Sequence, residues 1–153
     1  MQSKDIEQAT LAYLSTREER GRWGSLILTL INQMYESAGS TDALGFLRLV
    51  GTRLGESMAL SEQPTLEALE RVVNERWKAM DWGWVRFGVQ GKAIEIVHGA
   101  YPILESSERW TRSLAAVLEG LYEYIFQAQG EEHRLQVRLL ESPEGALVFR
   151  CAG

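Results

Sequence analysis

The stretch DWGWVRFGVQGKAIEIVH, residues 81–98, alternates apolar and polar residues on either side of a Gln-Gly pair. It predicts two antiparallel strands joined by a two-residue loop at Gln90-Gly91. In that register Val89 faces Lys92, Phe87 faces Ile94, Val85 faces Ile96, Arg86 faces Glu95 and Trp84 faces Val97. Successive side chains point to opposite faces, so Val85, Phe87, Ile94 and Ile96 share an apolar face, while the opposite charges of Arg86 and Glu95 lie beside Trp84 on the other. A slip of one residue would move the whole apolar set to the wrong side, so the facing is strongly specified. The rest of the chain reads as helices packed against this ribbon and a second hairpin.

Upstream, Ile6, Ala9 and Tyr13 suit a short amphipathic helix from Asp5 to about Ser15, although Thr10 to Leu14 would also fit a strand. After Gly21 and Gly24, a helix to about Glu36 carries Trp23, Leu26 or Ile27, Leu30 and Met34 on one face. Ser37 to Ser40 is a break, and Ser40 or Thr41 can cap a third helix with Asp42 in its first turn. Its stripe is Leu44, Leu47, Val50 or Gly51, Leu54 and Met58. Gly45, Gly51 and Gly55 lower its helix propensity and so mark close approach of another backbone, within the chain or across an interface. Pro64 and Thr65 open a fourth helix with Leu66, Leu69, Val73, Trp77 and Met80 in unbroken three-four spacing.

Beyond His98, Gly99-Ala100-Tyr101-Pro102 turns the chain, and Ser106 or Ser107 caps a long helix from Glu108 to about Gln129. Trp110, Leu114, Val117, Leu118, Leu121, Ile125 and Ala128 line one side, and Gly130 closes it. Leu135, Val137 and Leu139, a turn at Ser142 to Gly145, and Leu147, Phe149 and Cys151 then predict two more antiparallel strands. The expected architecture is α+β: four N-terminal helices, a hairpin, one long helix and a C-terminal hairpin forming a small antiparallel sheet packed on helices, in a single domain over residues 1–153.

Composition narrows the function classes. A net charge of -5 provides no overall basic excess with which to neutralise phosphates, so a nucleic-acid partner is not expected. The lone Cys151 cannot form an intrachain disulfide. The N-terminus MQSKDIEQATLAYL lacks a signal-peptide core, and the run Leu26 to Ile31, interrupted by Thr29, is too short to span a bilayer. A cytoplasmic protein without membrane insertion is expected.

Chemistry-bearing residues are sparse: two histidines, one cysteine and three aspartates. Glu95 and His98 are three apart on a strand and point to opposite faces, so they cannot chelate a metal together; His98 is expected as a hydrogen-bonded sheet-edge residue. His133 belongs to a polar connection. No nucleophile elbow, phosphate-binding glycine loop, zinc spacing or carboxylate pair is present, and no cofactor or metal is expected. A small hydrolase using His98 or His133 has the least support. Cys151 has no neighbour to activate it. Gly83 and Gly120 read as close-contact positions. Trp82 and Trp84, two apart on a strand, share a face with Arg86, either as a platform for a sugar ring or as a surface packed under a helix or another subunit.

Asp81-Trp82-Gly83-Trp84-Val85-Arg86, then Ile96-Val97-His98 with Pro102 following, then Val117-Leu118-Glu119-Gly120-Leu121-Tyr122, in this order and spacing, resemble the bacterial cellulose synthase D-subunit family, also called cellulose synthase operon protein D. The resemblance covers roughly Leu66 to Gly130, with Gly45-Phe46-Leu47-Arg48-Leu49-Val50-Gly51 also similar and the N-terminus different. It implies a non-catalytic accessory subunit forming a ring-like homo-octamer, a tetramer of dimers, whose passages guide β-1,4-glucan chains toward export and bundling alongside the other synthase subunits. Family members occur in periplasm or cytoplasm; the cytoplasm is expected here. The resemblance assigns no glucan contact, leaving Trp82 and Trp84 as candidates. Gly83, His98, Glu119 and Gly120 are expected at fold or interface positions, with Glu119 either bonded to a partner backbone or at a solvated edge. From a different class, the same elements could form a small-ligand sensor with an apolar pocket between helix and sheet.

Overall fold

A computed structural model describes residues 6–10 and 22–153. Residues 6–10 are helical (α1), and residues 11–15 of the first predicted element lie outside the described residues. There follow α2 (Gly24–Ser57), α3 (Leu66–Met80), β1 (Trp84–Gln90), β2 (Ala93–Gly99), α4 (Glu108–Gln127), β3 (Gln136–Glu141) and β4 (Ala146–Ala152). The two hairpins join edge to edge into one antiparallel sheet of order β1-β2-β4-β3, with Ile96 beside Phe149 and His98 beside Leu147. The fold is α+β, as the sequence implies. Thr65 and Ser107 begin α3 and α4 by accepting the Ala68 and Trp110 amides, at 3.0 and 3.1 Å.

The hairpin faces as expected, but its register is moved by two residues. The loop is Gly91-Lys92, not Gln90-Gly91: Gln90 faces Ala93, Val89 faces Ile94, Phe87 faces Ile96 and Val85 faces His98. Gly91 has φ +62° at the first loop position, where a type II′ turn requires glycine, and this moves the turn one residue along the chain. A shift of two preserves the facing, so Val85, Phe87, Ile94 and Ile96 still point toward the helices. The expected Arg86–Glu95 and Trp84–Val97 pairs do not form. Arg86 faces Val97 and lies over the Trp84 ring at 4.7 Å, Trp84 faces Gly99, and Glu95 accepts from Gln90 Nε2 at 2.9 Å.

Phe87 is half-buried, its ring centroid 4.9 Å from Phe126. Phe87→Asp is expected to destabilise by about 3 kcal/mol by placing a carboxylate against that ring, while Arg86→Gln on the other face costs under about 1. Urea denaturation checks both; an unchanged midpoint in Phe87→Asp would contradict the facing.

The core lies between the sheet and two helices. Ile96, Leu147, Phe149, Val137 and Val85 meet Leu118, Leu121, Tyr122 and Ile125 of α4 and Leu69, Val73 and Trp77 of α3. Helix α2 packs on α4 rather than on the hairpin. The break expected between Ser37 and Ser40 is at Gly39 (φ +81°, ψ +166°). Leu47, Gly51 and Met58 of the second half are buried as the stripe predicts. In the first half Leu28 and Ile31 face the core; of the periodic set, Trp23, Leu26, Ile27 and Leu30 are exposed, while Met34 packs against Leu47, Ala116 and Val117. For two of the three glycines the close approach is within the chain: a Cβ on Gly51 would overlap the Val117 carbonyl and one on Gly55 would press on Leu121 and Tyr124, whereas Gly45 faces open space and makes no such contact.

Candidate functional site

Motif residues cluster where α3, α4 and the sheet meet. Trp77 Nε1–H donates to the Tyr122 hydroxyl at 3.0 Å, and that hydroxyl contacts His98 Nδ1 at 2.5 Å. His98 Nε2 lies 2.7 Å from the Trp82 carbonyl oxygen, which can only accept. Nε2 therefore carries the proton, Nδ1 accepts from Tyr122, and a neutral imidazole satisfies every member of the chain. His98 is not at a sheet edge: β2 is an interior strand and the side chain is fully buried. Burial lowers its pKa from 6.5 to about 4, the bond to the Trp82 backbone acting weakly the other way. Burial likewise raises the Tyr122 pKa well above its ordinary value.

Below pH 6.5 the unfolded chain takes up a proton on His98 that the folded chain refuses until about pH 4. Stability from this residue is complete above pH 6.5 and declines by about 3 kcal/mol on acidification across that window. Denaturation midpoints between pH 7 and 4 check it; a flat profile with His98 neutral by NMR would contradict it.

Helix side chains close both edges of the sheet. Along α4, Glu119 Oε2, Glu123 Oε2 and Gln127 Oε1 accept the amides of Leu139, Val137 and Leu135 at 3.0, 3.0 and 2.8 Å. Four residues of helix rise about 6 Å and two of strand about 6.8 Å, so spacing of four on one matches spacing of two on the other. On the opposite edge Glu70 accepts the Phe87 amide at 2.8 Å, and Asn74 brackets Val85, accepting its amide at 2.8 Å and donating to its carbonyl at 2.9 Å. These caps occupy the groups through which a sheet would otherwise extend. Glu119 is buried, and its second oxygen accepts from Arg48 Nε at 3.2 Å, tying α2, α4 and β3 together. Of the two expectations for it, the backbone bond is found, to β3 of the same chain. Glu119→Ala is expected to lower stability by about 2 kcal/mol in urea denaturation, by orphaning the Leu139 amide, and Glu119→Gln by less.

Trp82 and Trp84 do not share a face. Helix α3 ends with Asp81 in the left-handed region (φ +56°), the Asp81 amide on Lys78 O at 3.3 Å and the Trp82 amide on Trp77 O at 2.9 Å, a Schellman terminator. Residues 81–83 thus close a helix instead of starting a strand, and Gly83 at φ +86° breaks the strand alternation between the tryptophans. Trp82 stacks on Trp77, centroids 5.6 Å apart, while Trp84 stays partly exposed on the outer sheet face, laid across Gly99 under Arg86. A Cβ on Gly83 would overlap the carbonyls of Gly99 and Ala100, and one on Gly120 would overlap the Arg48 carbonyl. Both are close-contact positions, as expected. His133 is exposed and Cys151 buried, its thiol pushed up to about 11 by desolvation and by Glu123 and Glu131.

Tyr122, Glu70, Asn74, Glu123 and Gln127 are structurally decisive residues that periodicity alone does not single out. The polar spacing of four beside each helical stripe is the signal that could have revealed the edge caps. The space between α4 and the sheet, where an apolar ligand pocket was the alternative expectation, is filled by Tyr122, Phe149, Ile96 and Leu118. Among the described residues no cluster of His, Cys, Asp and Glu could hold a metal, and no helix is long and apolar enough to cross a membrane.

The geometry defines an α+β domain in which buried polar and charged side chains brace its own helices against its sheet. Residues 9–152 match the model of the cellulose synthase D-subunit family, and the chain belongs to that family. A search of curated proteins found no match. Membership implies a role in cellulose synthesis and association with the synthase complex.

Proposed function

We propose that the chain is a non-catalytic accessory subunit of the bacterial cellulose synthase complex, assembling as a homo-octameric ring, a tetramer of dimers, that guides separate glucan chains toward export and ordered bundling. The observation that carries this reading is the family match across residues 9–152. The non-catalytic part is supported by the use made of the polar motif residues: His98 and Glu119 are buried in bonds to the chain's own backbone and side chains. Within this reading Trp84, partly exposed beside Arg86, is the better glucan contact, and Trp82 joins Gly83, His98, Glu119 and Gly120 as a residue that holds the fold. We place the assembly on the cytoplasmic side of the synthase.

Deleting the gene in the source bacterium tests the role. Cellulose yield or crystalline order is expected to fall and to return with the wild-type gene, while the purified chain turns over no nucleotide sugar. Unchanged cellulose in the deletion strain, or turnover by the purified chain, would overturn the proposal.

A further inference from the structure

Among the described residues only α3 and α4, of the helices, touch the sheet, and both pack on the face that carries Val85, Ile96 and Phe149. The register fixes what the other face carries. Phe87, Ile96, Phe149 and Leu139 stand in line across the four strands and point inward, so the neighbouring line of Gly88, Glu95, Arg150 and Arg138 points outward. One step further along the strands lie Arg86, Val97, Val148 and Glu141, and Leu140 beside Glu141 is 58% exposed.

Arg138 and Arg150 are directly opposed on β3 and β4, where like charges destabilise a sheet. Among the described residues the ion pairs are Arg48 with Glu119 and Arg53 with Glu56, so Arg138, Arg150 and Arg86 meet no carboxylate. Arg138 donates to the Val137 carbonyl at 3.1 Å, Arg86 lies over the Trp84 ring, and Glu95, which faces Arg150, accepts from Gln90 instead. In a chain of net charge -5 this face holds cations without counter-charge, and an external anion recovers what the opposed pair costs.

Charge and spacing select the occupant. Neutral glucan supplies no anion, and a second copy of this face brings the same excess of arginine. Glu95 and Glu141 flank the arginines and repel the dense charge of a nucleic acid or an anionic membrane, whereas a polypeptide can set carboxylates over the arginines and leave the glutamates clear. Guanidinium groups bind carboxylates through two parallel N–H donors. Alternate side chains of an extended segment repeat every ~6.8 Å, the step that separates the Arg150 line from the Arg86 line. Such a segment cannot add as a fifth strand, because helix side chains cap both edges, so it lies on the face. We propose that the outward line of Arg150 and Arg138, with Arg86 beside it, docks an acidic segment of another protein of the cellulose synthase complex. This rests on the accessory-subunit reading above and gives that association a surface and a partner chemistry.

Fluorescence anisotropy of a labelled peptide of alternating glutamate and threonine, added to the full chain, tests the surface. The double variant Arg138→Gln, Arg150→Gln is expected to weaken binding at least about ten-fold. Its native mass should be unchanged and its melting temperature no lower, since the substitutions remove a like-charge pair. The same peptide with glutamine for glutamate is expected not to bind, and Arg71→Gln on the exposed side of α3 to leave binding unchanged. In the source bacterium the tagged wild-type chain is expected to co-purify with the synthase subunits, and the double variant to lose them. Peptide binding that is absent, that survives the double variant, or that is displaced more readily by single-stranded DNA or phosphatidylglycerol vesicles than by unlabelled peptide would overturn the proposal. So would a double variant of lower native mass, which would make the face an interface between copies. A double variant that keeps the synthase subunits would overturn this surface alone, whereas their absence from the wild-type preparation would overturn the accessory-subunit reading together with it.

Discussion

Gly120→Val is expected to unfold the α2–α4 pairing and to cost more than about 4 kcal/mol. Overpacking is usually relieved by a neighbouring side chain changing rotamer, but the atom that a Cβ at position 120 would overlap is the backbone carbonyl oxygen of Arg48. Relief requires α2 as a whole to move away. The opposing contact is equally tight, since a Cβ on Gly51 would overlap the Val117 carbonyl, so the helices cannot simply slide past one another. Moving α2 also pulls Arg48 from Glu119 and Tyr35 from Ser113, bonds of 3.2 and 2.9 Å. Denaturation followed by circular dichroism checks the prediction: Gly120→Val should be unfolded or strongly destabilised at 25 °C, with Gly51→Val similar. A Gly120→Val protein with a wild-type midpoint would show that the two backbones are not in contact.

Tyr122→Phe is the second large effect, at about 3 kcal/mol for the loss of one oxygen atom. The ring still fits the same space, so no cavity of consequence forms. What changes is that the Trp77 indole N–H loses its acceptor and His98 Nδ1 loses its donor, both inside the core where water does not compensate. The expected signature is a lower denaturation midpoint with an unchanged slope. The native protein should also show altered Trp77 fluorescence, because the hydroxyl bonded to the indole nitrogen is gone. A midpoint within experimental error of wild type would mean that the three residues do not form the bonded chain described.

Periodicity made much of the fold legible. The unbroken spacing of Leu66, Leu69, Val73 and Trp77 after Thr65 identified α3 and its cap; the stripe from Trp110 to Ile125 identified α4, with its cap narrowed to Ser106 or Ser107, of which the structure uses Ser107. Alternation identified both hairpins and the inward face of each. What remained hidden depended on contacts distant in sequence or on backbone angles. The side-by-side pairing of β2 with β4 joins residues 47 to 57 positions apart, from Gly99↔Ala146 to Ile94↔Cys151, and leaves no local signal. The loop position turned on Gly91 taking the first place of a II′ turn, and Asp81 to Gly83 resembled a strand because a left-handed helix terminator can use aspartate as well as glycine. Glu119 was conspicuous as a charge beside an apolar stripe, but its partners Arg48 and Leu139 come from other elements. Periodicity also showed that α2 has an apolar face without showing that Trp23, Leu26, Ile27 and Leu30 would lie on the outside of the subunit.

The native mass of the purified full chain, by light scattering behind a sizing column, tests the proposed role most directly. The account predicts a single species of about eight times the 17.3 kDa chain mass. A monomer that persists at high protein concentration would contradict the ring, and with it the guidance of glucan chains through passages between subunits.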